Sequence, residues 1–282
     1  MNMIRNQIFD EERSLYGLEN AEVTGCRFEG PADGESTMKE TRGLQVKDCF
    51  FDLRYPLWHT TDTALSHCEM TEKCRAALWY DRDLTVKNST LGGIKALREC
   101  ERVTLENCRV VSPEFGWHCT DVTLKGCDIT SEYPFMNCRS LRLDGLTLHG
   151  KYSFQYTQDA EIRKSRLYTK DAFWHSKNMT VTDSLIDGEY LGWYSEGLRL
   201  VRCRIRGTQP LCYCKDLVLE DCTMEDADLC FEYSSVQANV KGSVLSVKNP
   251  LSGSVIRAGS IGEILLDGHR RDDPPCLILT EE

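Results

Sequence analysis

Ser89, Cys108, Cys127, Leu146, Ser165, Ser184, Cys203 and Cys222 stand at one constant interval of 19 residues, and this period constrains the fold more than any other feature. A fixed short period marks a repeat architecture, in which each unit buries its apolar side only against its neighbours. Within the unit, apolar and polar residues alternate over short runs, as in Val103-Thr-Leu105 and Cys108-Arg-Val110, or Leu217-Val-Leu219 and Cys222-Thr-Met224. Alternation of period two over so few residues predicts strands, not helices.

Turn-forming residues keep the same period. Asp48, Asn88, Asn107, Gly126, Gly145, Asp183 and Asp221 precede the Cys/Ser position. Asp83, Asp121, Asp159, Asn178 and Asp216 precede the first strand, and Gly93, Ser112, Ser131, Gly150, Gly188 and Gly207 follow the second. Gly, Asn and Asp accept the left-handed backbone of a sharp bend. Three corners per turn predict three strands per turn, hence an all-β, three-sided parallel solenoid of about twelve coils of about 19 residues. The expected organisation is one domain over residues 1–282, with an N-terminal cap at 1–17, coils at 18–250 and a C-terminal capping segment at 251–282. Open ends of such a stack invite pairing with other chains and need covers.

Two other solenoids compete. The stretch Cys119 to Ile129 fits the core of a leucine-rich repeat, but the rest of the unit holds a turn and the strand-like Phe173-Trp-His175 where a helical arc belongs. Left-handed β-helices repeat on six residues, which does not divide 19. The small-residue ladder, the Asn/Asp/Gly corners and the three-strand coil resemble the right-handed parallel β-helix proteins of the pectin-lyase-like superfamily. Over nearly its full length the chain is similar to an uncharacterised bacterial family within it. That resemblance implies a single-stranded right-handed β-helix. It brings no activity, because the superfamily's polysaccharide lyases and hydrolases use clustered aspartates, or Asp with Arg and Lys, and no such cluster matches here.

Composition narrows the partners. Net charge is −10 and the basic residues are scattered, so neither DNA nor RNA is expected. No apolar run approaches a membrane span and Met1 to Arg13 lacks a signal-like core, so no membrane partner and a cytoplasmic location are expected. The 15 cysteines share their main column with serines and form no C-x-x-C pair. They read as small buried side chains rather than as disulfides or metal ligands, and no metal or cofactor is expected.

The clearest functional signal is a column holding all five tryptophans, Trp58, Trp79, Trp117, Trp174 and Trp193, interrupted by Arg98. The next column runs His59, Tyr80, Glu99, His118, Asn137, Tyr156, His175, Tyr194, Tyr213. Burying it would strand polar groups at roughly 1–3 kcal/mol each, so it should face outward. The tryptophans are expected at least partly exposed beside it, over an interior ladder of Leu57, Leu78, Leu97, Phe135, Phe154, Phe173 and Leu211. Three readings follow. One is a ligand strip for a carbohydrate or other small polar ligand, with Trp79, Tyr80, Trp117, Tyr156, Trp174, His175, Trp193 and Tyr194 as contacts. Another is a structural or protein-interaction module whose strip joins a homo-oligomer. The third is a carbohydrate-active enzyme, lyase-like or hydrolase-like, with Glu99 as acid or base, His118 as its partner one coil on, and Arg98 as an anion clamp.

Overall fold

The computed structural model describes residues 2–268 and 276–281, and all of its regular elements are β-strands. Residues 269–275 and Glu282 of the expected closing segment lie outside the described residues. By internal packing the chain divides into two compact units, Met1–Arg142 and Leu143–Glu282. Each is a parallel β-solenoid, and the described residues make about 14 turns. This exceeds the twelve counted from the Cys/Ser column because the ends stack where the period decays. Asn2–Arg5 pairs in register with Ala21–Thr24, so the stretch expected as an N-terminal cap is itself a coil. At the other end Val255–Leu265 and Leu277–Thr280 still pair in parallel.

In the first unit the long side stacks Thr61–Ser66, Arg82–Lys87, Glu101–Glu106 and Thr120–Lys125, with Leu84 over Val103 over Val122. Alternation sends these apolar residues inside and leaves Thr85, Thr104 and Thr123 half-exposed. The second side pairs Thr90–Gly92, Arg109–Val111 and Asp128–Ser131, with Leu91, Val110 and Ile129 buried. In the second unit Gln158–Arg163 and Lys177–Thr182 build the long side, while Arg166–Lys170, Leu185–Asp187 and Arg204–Arg206 build the next. Between these sides runs the cysteine column. All 15 cysteines are free and all but Cys276 are buried, with thiols that donate to carbonyls: Cys108 Sγ reaches Val86 O at 3.4 Å and Glu106 O at 3.3 Å.

The third side departs from regular strand. In the first unit it is two residues long, Leu57–Trp58, Leu78–Trp79 and Leu97–Arg98, paired in register. In the second it is a turn, and Phe154, Phe173 and Leu211 take left-handed backbone with φ of 63°, 63° and 64°. The interior ladder is as expected, since all seven Leu and Phe residues named for it are fully buried. Phe154 and Phe173 stack at 5.2 Å. Gly116 sits where Phe135 passes: a Cβ there would come within 2.8 Å of its ring, and Phe115 fills the core one position earlier.

In the corner column that follows the second strand, Gly93 and Gly207 take positive φ (81° and 125°) as expected, but the serines do not. Ser112 and Ser131 are buried, and Ser112 Oγ donates to Glu114 O at 2.9 Å instead of marking a left-handed bend. A further left-handed bend falls later, on His59, Tyr80, Glu99, His118 and Asn137 in the first unit and on Tyr156, His175, Tyr194 and Tyr213 in the second, with φ between 52° and 59° throughout. Left-handed backbone suits Asn and His and is uncommon for Tyr. Because the chain turns here, two consecutive residues, the Trp and its follower, both face outward.

Candidate functional site

In the first unit the half-buried residues of the third side pack flat along the stack. Trp58 and Trp79 are parallel at 5.3 Å, Lys39 Nζ lies 3.9 Å over Trp58, and Tyr80 stacks on Trp79 at 5.2 Å. Arg98 takes the next place. Its Nε donates to Glu99 Oε1 at 3.2 Å, and its guanidinium lies 5.4 Å over Trp117 and 3.9 Å from Glu114. Four third-side groups reach the loop 16 residues further along, whereas the Trp58 and Trp79 Nε1 atoms are buried without a partner. Trp117 Nε1 donates to Tyr133 O at 2.6 Å while Arg98 faces Glu114, and in the second unit Trp174 donates to Tyr190 O and Trp193 to Gln209 O.

At the corner, His59, Tyr80 and Glu99 from three successive coils open onto a recess of about 270 Å³, which Thr61 and Arg82 also line. Hydrogen bonding to the Glu99 carboxylate raises the Tyr80 phenol above its ordinary range. The His59 ring meets Tyr80 edge-on at 5.0 Å, and its Nδ1 is 3.1 Å from Glu40 Oε1. An anion, a guanidinium, an imidazole and a phenol therefore share one hollow. Behind it, in the coil interior, lies a fully buried acid. Asp81 Oδ1 accepts the Thr60 N–H at 2.8 Å, whereas Asp81 Oδ2 and Thr60 Oγ1 are buried without a partner. Burial raises this carboxyl to about 7.

Of the residues named from sequence, Tyr80 and Glu99 line the recess, Arg98 and Trp79 flank it, and Trp117 carries the Arg98 guanidinium. Glu99 and His118 are not brought into hydrogen-bond contact. Their coils are adjacent, with Glu99 N donating to Trp117 O, but the His118 ring is 2.9 Å from Asn137 Nδ2. His59, Thr61, Arg82 and Asp81 were not singled out. His59 stood in the Tyr/His column, and Thr61 and Arg82 lie two residues past a corner residue, on its side by simple alternation.

The second unit carries the remaining predicted contacts as one stack. Tyr156, His175, Tyr194 and Tyr213 lie nearly parallel at 5.1, 5.0 and 4.9 Å, and Tyr233 follows tilted at 6.0 Å. Beside them Trp174 and Trp193 are parallel at 5.7 Å. Neighbouring rings cover one another's faces, so the strip offers ring edges, phenol hydroxyls and imidazole nitrogens to solvent. The stacking makes the strip a polar-edged row, not a platform of open ring faces.

One family model, for proteins of unknown function, matches residues 2–279. No curated protein matches the chain. Among solved structures it is similar to the surface adhesin PfbA of Streptococcus pneumoniae, with 10% identity, 90% of this chain and 72% of that one covered, and a TM-score of 0.40. It is also similar to the tailspike protein of E. coli bacteriophage HK620 (9% identity, TM-score 0.44), covering 89% of this chain but only 60% of the tailspike. The A-module of the mannuronan C-5 epimerase AlgE6 of Azotobacter vinelandii matches at 10% identity over 98% of this chain and 87% of the module, with a TM-score of 0.38.

Proposed function

The chain belongs to that family of unknown function (DUF3737), and we propose that it binds a hydroxyl-rich ligand, a glycan, at the outer edge of the third side, with the recess as its anchoring subsite. The observation that carries this reading is the meeting of Glu99, Arg82, His59 and Tyr80 in one small hollow. A sugar hydroxyl donates and accepts at once; here the carboxylate accepts, the guanidinium donates, and the phenol and imidazole do either. The hollow lies just under the roughly 300–1,000 Å³ typical of drug-sized ligands, which suits one sugar residue of a longer chain. Ring edges beside the recess in the first unit supply further hydroxyl partners at intervals of about one coil. Separate partners for Glu99 and His118 favour binding over a lyase or hydrolase step centred on that pair.

Calorimetric titration of a panel of neutral and acidic oligosaccharides tests this reading. Wild type should bind at least one, and Glu99→Gln should bind it about tenfold or more weakly, since a hydrogen bond to a charged group contributes about 1.5–3 kcal/mol. A wild type that binds none of the panel, and that runs as a dimer which Tyr194→Ala dissociates, would replace this reading with the interaction module.

A further inference from the structure

Beneath the recess runs a second buried ladder: Thr41, Thr60, Asp81, Cys100, Cys119 and Cys138, each no more than 2% exposed. Every member but one is small and uncharged in its ordinary state. Asp81 is the exception, and it stands where the recess is. The ladder residues alternate along the chain with the recess lining, Thr60 between His59 and Thr61, Asp81 between Tyr80 and Arg82, Cys100 next to Glu99. Any movement of the ladder at these positions is therefore transmitted through one peptide unit to the lining.

A buried carboxylate needs a cation or a full set of donors, and Asp81 has neither. One backbone N–H from Thr60 reaches Oδ1, Oδ2 has no partner, and no Lys, Arg or His bonds it. The titratable group that faces it inside is the Cys100 thiol, itself raised well above its usual range by burial. The charged groups of the recess, Arg82, Glu99 and His59, lie on the outer side of the backbone.

We propose that Asp81 is a pH-operated positioning residue for the recess: neutral, it packs like its ladder neighbours and holds the His59, Tyr80 and Glu99 wall; ionised, it draws water between the coils and loosens that wall, so that ligand affinity falls as the medium turns from acid to alkaline. The proposal rests on the recess being the ligand site. Burial places the titration at about 7, inside the range where a modest pH change switches the charge on or off.

The decisive experiment needs no ligand. Near-ultraviolet circular dichroism, which reads the Trp58–Trp79–Tyr80 stack, is followed from pH 5.5 to 8.5 in wild type, Asp81→Asn, Asp81→Thr and His59→Gln. Wild type and His59→Gln should show a transition with a midpoint near 7, whereas Asp81→Asn and Asp81→Thr should be flat. The Thr variant repeats Thr60 of the same ladder and guards against a misfolded Asn variant. A flat wild type, or a transition that survives in both Asp81 variants, overturns the proposal. In parallel, the oligosaccharide bound most tightly should lose about fivefold or more in affinity across that range in wild type and less than twofold in Asp81→Asn. Equal losses in both overturn the coupling. Absence of any binding overturns the glycan reading instead, and the ligand-free transition still decides the role of Asp81.

Discussion

At the scale of single residues, Asp81 also sets how stability depends on pH. Its carboxyl holds a proton up to about 7 when folded and releases it near 3.8 when unfolded. Between these values the folded chain binds more protons than the unfolded one, so stability falls as pH rises. The contribution is complete below about pH 4 and is lost as the pH climbs through about 7. A separation of about three units corresponds to about 4 kcal/mol. Asp81→Asn should therefore melt higher than wild type at pH 8, and the two should converge toward pH 4; an Asn variant that is less stable at pH 8 would contradict this origin. Sequence reading passed over Asp81 because the two extra residues between Trp58 and Trp79 shift its column, and one Asp among Thr and Cys looks like surface until the ladder is aligned.

Coils and corners show which parts of the element pattern could be read in advance. Bends on Asn88, Asn107 and Asp48 were legible because Asn, Asp and Gly announce left-handed backbone. At Asn107 (φ 52°), Asn107→Val should lower stability by about 1–2 kcal/mol, the penalty of left-handed backbone for a branched residue, while Asn107→Gly should stay within a few tenths. Urea midpoints would show the difference, and equal midpoints would refute it. Bends on Tyr156, Tyr194 and Tyr213 were hidden, since nothing intrinsic to Tyr asks for φ near 57°. Tertiary stacking imposes it: each ring gains about 0.5–1.5 kcal/mol from a parallel neighbour, of the order of the backbone penalty. A local code is overridden there by contacts one coil away, which a single repeat does not display. For the same reason the Trp column was readable as a column, but its edge-on presentation was not.

For the molecule as a whole, the period is the rule that holds the stack together. Within each unit every coil of the regular part meets its neighbours through the same ladders, so a complete coil is removable and a fraction of one is not. Deleting the 19 residues Ser89–Asn107 joins Asn88 to Cys108 and restores the same corner, and the shortened chain should melt cooperatively with a β-type far-ultraviolet spectrum. Deleting Ser89–Arg98 alone puts polar residues into the core columns and should abolish cooperative melting. Cooperative melting of both would mean that register does not govern the fold. The fold class was legible at this scale because repetition amplifies a weak signal. The division into units at Arg142 was not, because the period runs through it unchanged.

The paired indoles have one more consequence. Trp58 with Trp79, and Trp174 with Trp193, hold parallel ring planes with centroids within 5.7 Å, one pair in each unit. Chromophores so close share their excited states, so each unit carries an optical signature that exists only while two successive coils stay aligned.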